Sequence, residues 1–137
     1  MSNNMKIRVK ISEKDYVKKT TKGIEKIARE VIIYGLNQVR NTAIESIARG
    51  TKTGKQRPDG SRASAPGEAP ATDTGFLQNN IVTRVATNGL SGEVVSRAEY
   101  SEYLEFGTLQ MGARPFMHPA LEQNKPKILA RLRNLMK

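Results

Sequence analysis

The chain has no cysteine, so neither a disulfide framework nor a thiolate metal site is open to it. It has one histidine, His118, and a lone imidazole without cysteine does not make up the ligand set of a zinc site. His118 sits between Met117 and Pro119, with Glu122 the only carboxylate one helical turn away, a setting for a helix start or a packing residue rather than a catalytic base. No apolar run approaches the ~18 residues that a membrane span requires. The first residues, MSNNMKIRVKIS, lack the apolar core of a signal peptide. These absences predict a soluble protein made in a cytoplasm, with no membrane partner. Hydrophobic residues make up only 37% of the chain, which is low for a compact globule. Part of it is therefore expected to be extended, or ordered only in an assembly.

Signs of catalysis are equally scarce. Gly50, Gly54 and Gly60 lack the spacing of a phosphate-binding loop. Ser61, Ser64 and Ser91 have no nearby histidine and no nucleophile elbow. Glu99, Glu102 and Glu105 recur every three residues and would share one helix face. Three carboxylates can hold Mg²⁺ for a nuclease. They can equally form a solvated acidic face, or one that meets a basic neighbour. Tyr100, Tyr103, Leu104 and Phe106, set between them, mark a packing segment instead. The expectation is a protein that is not an enzyme and carries no cofactor.

What the chain does have is uneven charge. Residues 1–62 hold 15 Lys and Arg against 6 Asp and Glu, whereas residues 63–137 hold 8 against 7. A basic N-terminal half can face nucleic acid or an acidic protein, or simply be a solvated surface. Lys18, Lys19, Lys22, Lys26 and Arg29 crowd the first helical stretch, and Lys52, Lys55, Arg57 and Arg62 follow it as contacts for DNA or an acidic partner. No aromatic residue is interleaved with the latter group, which argues against base stacking there.

At 137 residues the chain reads as one domain spanning 1–137. Residues 5–11 alternate, with Ile7, Val9 and Ile11 on one side and Lys6, Arg8 and Lys10 on the other, as in a half-buried strand. From Asp15 to Ala48, apolar residues at helical spacing predict one long helix, capped by Ser12 or Asp15 and ended by Gly50. Gly23 and Gly35 inside it predict a bend or a close helix contact. Residues 50–75 are rich in Gly, Pro, Ser and Thr. They read as a long extended loop, either a flexible linker or, the favoured reading, an arm that orders against a neighbouring subunit. Asp73-Thr74-Gly75-Phe76-Leu77 resembles a capped helical turn. Residues 81–87 and 93–98 predict a hairpin about Asn88-Gly89. A short helix over 99–105, a strand over 108–115 and a last helix from Pro119, kinked or restarted at Pro126, complete the order. The fold class is α+β: a small, mostly antiparallel sheet packed by a long N-terminal helix and a C-terminal helix. Its open edges can pair between subunits.

The densest feature is Tyr100-Ser101-Glu102-Tyr103-Leu104-Glu105-Phe106-Gly107-Thr108 with Ala113-Arg114-Pro115-Phe116 after it. Four of the seven aromatic residues fall within these 17 positions. Aromatics in such number without reactive groups predict a surface that touches protein. Tyr100, Tyr103, Glu105, Phe106, Gly107, Thr108, Arg114, Pro115 and Phe116 are the expected interface residues. In detail, Glu105 to Thr108 would form a tight turn under Pro115 and Phe116, with Gly107 supplying a backbone geometry closed to side chains. Arg114 would pair with Glu102 or Glu105, within or between subunits. Plain core packing is the other reading for Phe106 and Phe116.

Two stretches carry a resemblance. SAPGEAPATDTGFLQNNI (64–81) is similar to a Pro-Gly-x-x-Pro … Asp-Thr-Gly-x-Leu signature. AEYSEYLEFGTLQMGARPFMHPAL (98–121) is similar to Tyr-x-x-x-x-Glu-Phe-Gly-Thr … Arg-Pro-Phe-x-x-Pro-Ala-Leu. Both resemble the gene-product-ten-like tail-component family of tailed bacteriophages and prophages, over most of the chain from the long helix to the last. The resemblance implies a structural virion protein of the phage neck, assembled in the host bacterial cytoplasm. It implies a tail-completion or head–tail joining subunit in a homo-oligomeric ring, six-fold in the favoured case, through which DNA passes. Its partners would be the head connector and the tail terminator or tail tube proteins, with nonspecific contact to genome DNA. The alternative from charge alone is a nonspecific DNA-binding protein using the basic N-terminal half.

Overall fold

Alternation and periodicity set out the elements, and the computed structural model, which describes residues 5–10 and 21–137, shows where they lie. In chain order these are β1 (Met5–Lys10), α1 (Thr21–Arg49), α2 (Phe76–Asn79), β2 (Ile81–Val85), β3 (Ser91–Ser96), α3 (Ser101–Phe106) and α4 (Met117–Leu135). The expected strand extension to Ile11, the helix start at Asp15 and its caps Ser12 or Asp15 lie outside the described residues. So do Lys14, Lys18 and Lys19.

The sheet is antiparallel throughout, in the order β1-β3-β2, so the chain's first strand pairs with its last. Val94, fully buried, sits at the centre opposite Ile7 on one side and Thr83 on the other. The hairpin closes at Asn88-Gly89, where Gly89 has φ 74° and donates its N–H to Ala86 O. One face of this sheet meets the described helices. Met5, Ile81 and Val94 pack with Ile32, Leu36, Val39, Ala43 and Ile47 of α1, and with Phe116, Met117 and Ala120 of α4. Each large side chain buried there contributes about 1.5–3 kcal/mol.

α1 runs 29 residues, about 43 Å at 1.5 Å per residue. It ends at Gly50, whose N–H donates to Ser46 O, and Lys52 Nζ donates to the same carbonyl at 2.8 Å. That places a cation on the negative end of the helix dipole. At Gly35 α4 comes close: a Cβ there would stand 3.1 Å from Ile128 Cδ1. The α4 seam also holds a polar side chain. Asn124 is buried and donates to Thr42 Oγ1 at 2.8 Å and Ala120 O at 2.7 Å, while its Oδ1 has no partner. Toward its C-terminus α4 buries its apolar residues only in part. Ile128 is half-buried, but Leu129 is exposed. Pro126 lies inside a continuous helix and neither breaks nor restarts it.

Three further expectations are corrected. Residues 108–115 form no strand; they are a turn, closed by Thr108 N–H to Met111 O at 2.8 Å and by Arg114 N–H to Leu104 O. Gly107, at φ 76° and ψ 177°, turns the chain out of α3 into this turn. The expected helical turn is α2 itself, but its N-cap is Gly75 at φ 83° with no side-chain cap, so Asp73 does not cap it. Residues 50–75 lack helix and strand, as expected, but they are not a free linker, because hydrogen bonds within the chain hold them. A small loop closes at the Gln56–Arg62 bridge, and Gly67 N–H donates to Ala113 O at 2.8 Å.

Candidate functional site

The segment from Ser101 to Ala120 is built around one carboxylate. Glu105 lies on the inner side of α3, 5% exposed. Its Oε1 accepts the N–H of Phe116 at 3.1 Å and of Met117 at 2.8 Å, and its Oε2 accepts that of His118 at 3.2 Å. A helix leaves four N–H groups unpaired at its start. Here three are taken by Glu105, and the fourth position is Pro119, which has no N–H. Every donor is thus accounted for by a side chain 11 residues upstream, with the negative charge on the positive end of the α4 dipole.

The neighbouring signature residues make that geometry possible. Gly107 ends α3 at φ 76°, ψ 177°, a backbone region essentially reserved for glycine. A Cβ there would lie 2.8 Å from both Ala113 N and Met111 O. Thr108 opens the turn and Pro115 leads into Phe116, which is buried in the core. Glu105 therefore does meet the Phe116 backbone, but Glu105 and Phe106 are the last residues of α3 rather than part of a tight turn, Gly107 lies against Met111 and Ala113, and Phe116 follows the core-packing reading.

Arg114 departs from expectation. It pairs with neither Glu102 nor Glu105. Its guanidinium donates to Ser64 O at 3.3 Å and to Gly112 O at 2.8 Å, tying the long loop to the turn. Glu105 is already engaged by α4, and Glu102 points outward.

The cations of the long loop are likewise mostly fasteners. Lys52 Nζ bridges Ser46 O and Ala69 O, both at 2.8 Å, and burial lowers its pKa. Arg57 donates to Thr72 O at 2.6 Å and Arg62 to Gly54 O at 3.2 Å. Lys55 is exposed. Glu68 binds the loop together through the N–H of Ala65 and both the hydroxyl and N–H of Thr53. Those bonds hold its carboxyl below the usual glutamate range.

The outer side of α3 is the opposite of its inner side. Tyr100, Tyr103 and Phe106 follow at three-residue steps along one helix face, and Phe106 is 75% exposed. Leu109 stands fully exposed at the tip of the next turn. Phe76, also exposed, tilts against Tyr100 with ring centroids 6.4 Å apart. Beside this pair lies an open groove of about 550 Å³ lined by Ile47, Leu77, Leu104, Met111, Arg57 and Arg114, among others. Phe76 and Leu109 were not among the expected interface residues. Phe76 followed a Gly in a turn, and Leu109 lay in the supposed strand.

Elsewhere, the sheet face turned away from α1 carries exposed Lys6, Arg8, Lys10 and Arg84 around Glu93, which accepts from Arg8 at 2.6 Å. Among the described residues no group of three or more His, Asp or Glu is placed to hold a metal ion. No described helix is long and apolar enough to cross a membrane.

Fold and site define a small α+β protein whose aromatic helix is locked on its inner side and bare on its outer side. A family model described as "Bacteriophage HK97-gp10, putative tail-component" matches residues 14–107, about two thirds of the chain. The chain belongs to that family of bacteriophage tail components. The match takes in Glu105 and ends at Gly107, so the Arg-Pro-Phe step and α4 lie beyond it. Neither a curated protein nor a solved structure matches.

Proposed function

We propose that this chain is a ring-forming structural subunit of the phage neck, a tail-completion or head–tail joining protein around a channel that passes DNA. The observation that carries this reading is the bare stripe of Tyr100, Tyr103, Phe106 and Leu109 on a segment anchored from below by Glu105. Contiguous exposed apolar residues mark sites of protein contact, and aromatic ones dominate binding energy. A rigid base under them lowers the ordering cost of docking. Membership of a tail-component family supports the same setting. The partners are other copies in a ring, six-fold in the favoured case, the head connector, and the tail terminator or tail tube proteins. The outer edges of β1 and β2 offer further pairing positions. No catalytic step and no cofactor belong to this role.

Electron microscopy of lysates from the parent phage with this gene stopped early tests it. Filled heads and separate tails are expected. Intact joined particles would refute the neck role. A second reading, nonspecific DNA binding, is favoured by the exposed cations of the sheet, Lys6, Arg8, Lys10 and Arg84. It predicts tight binding to any duplex that weakens steeply with salt, whereas the ring reading predicts weak affinity.

A further inference from the structure

We propose that the aromatic, acidic face of α3 docks on the exposed cations of the basic sheet face of a second copy of this chain, in a head-to-tail contact. The inference rests on the assembly role above and names the partner surface for it.

The two surfaces are chemically complementary. From Ala98 to Ala113 every charged residue is a carboxylate, although the chain as a whole has a net charge of +10. Glu105 is turned inward, but Glu99 and Glu102 are exposed beside Tyr100 and Tyr103. Asp73 adds a third exposed carboxylate near Tyr100, whose phenol is raised in pKa by burial and by that charge. Ring faces interspersed with carboxylates fit lysine and arginine, through cation–π and ionic contact together. The sheet face offers those groups: Lys6, Arg8 and Lys10 on β1 and Arg84 on β2, against a single acid, Glu93. Side chains on alternate strand positions stand about 6.7 Å apart, so the cations form a flat, regular array. α1 packs on the other side of the sheet; on this side Val95, between Lys6 and Val82, is fully buried, while the four cations around it are exposed.

The same chemistry excludes a two-fold contact of α3 with itself, which would set Glu99 and Glu102 against like charges. A contact between two different patches is heterologous, and such contacts close into rings when the rotation allows.

The test uses the full chain and sedimentation velocity over a range of concentrations. One variant carries Glu99→Lys and Glu102→Lys; the other carries Lys6→Glu, Lys10→Glu and Arg84→Glu. All five positions are exposed, and circular dichroism checks that each variant folds. The wild type is expected to self-associate, each variant alone to do so at least tenfold more weakly, and an equimolar mixture to recover association. Recovery follows because the mixture restores one native pairing and creates one with both charges exchanged. A wild type that stays monomeric at the highest concentration would overturn the proposal. So would a variant that associates like the wild type, or a mixture that does not recover. Loss of duplex-DNA binding in the sheet variant with unchanged self-association would assign that face to a polyanion and also overturn it. Unjoined heads and tails in the gene-stopped lysate, together with a monomeric wild type, would remove this docking contact alone and leave the neck role standing.

Discussion

Replacing Glu105 isolates the contribution of a single carboxylate to the fold. Its three bonds to the N–H groups of Phe116, Met117 and His118 span 2.8–3.2 Å and are almost wholly shielded from water. Glu105→Ala leaves those donors without an acceptor. Loss of an N-cap costs about 0.5–2 kcal/mol, and each buried unsatisfied donor about 1–3 kcal/mol if water does not reach it. Some water will enter the space vacated by the side chain, so the total should be about 2–4 kcal/mol. Glu105→Gln keeps the Oε1 acceptor but presents an amide to the His118 N–H and removes the charge at the dipole. About 1–2 kcal/mol is expected for it. Glu105→Asp keeps the charge but is one methylene short, and should fall between the two. Urea denaturation at constant m-value measures these differences. Since ordinary domains are stable by about 5–15 kcal/mol, all three variants remain measurable. If Glu105→Gln and Glu105→Ala both lie within about 0.3 kcal/mol of wild type, the carboxylate does not hold α4 and the account of the signature is wrong.

Gly107→Ala should cost about 2–4 kcal/mol, because the backbone is in a glycine-only region and the new Cβ meets Ala113 N and Met111 O; an unchanged denaturation midpoint would contradict this. At Asn124, alanine should cost about 1–3 kcal/mol, whereas leucine, which like alanine removes the unpartnered Oδ1 but fills the space that alanine leaves empty, should cost less; the reverse order would count against the reading. The Glu68 carboxyl is held below its ordinary range in the folded chain, so the stability it confers is present above the unfolded glutamate pKa of about 4.3 and lost as pH falls through the lower, folded value. Amide NMR signals of Thr53 and Ala65 should therefore titrate below that range, and Glu68→Gln should abolish the transition; a midpoint at or above it would refute the loop clasp.

Local patterns in the sequence reveal much of this fold. Alternation placed β1, Asn88-Gly89 placed the hairpin, and the apolar spacing of Val31, Leu36, Val39, Ala43 and Ile47 placed the buried stripe of α1. What escaped depends on partners distant in the chain. Arg114 is joined to Ser64 and Glu105 to Phe116, and no periodicity reports contacts of 50 or 11 residues. The supposed strand over 108–115 failed for the same reason, since its path is set by Gly107 and by the Leu104 carbonyl rather than by a sheet. The basic loop looked like a phosphate-binding arm because charge counting does not see the carbonyls that Lys52, Arg57 and Arg62 bind. The aromatic segment was legible as a surface, but only its burial separates Phe116, inside, from Phe106, outside.

Complementation of the gene-stopped phage by Tyr103→Ala/Phe106→Ala/Leu109→Ala tests most directly whether the bare face of α3 is the assembly surface. All three side chains are exposed, so the variant should keep the wild-type melting temperature. The account predicts a folded protein that fails to restore joined particles and infectivity. Wild-type titres and normally joined particles from the folded variant would contradict it.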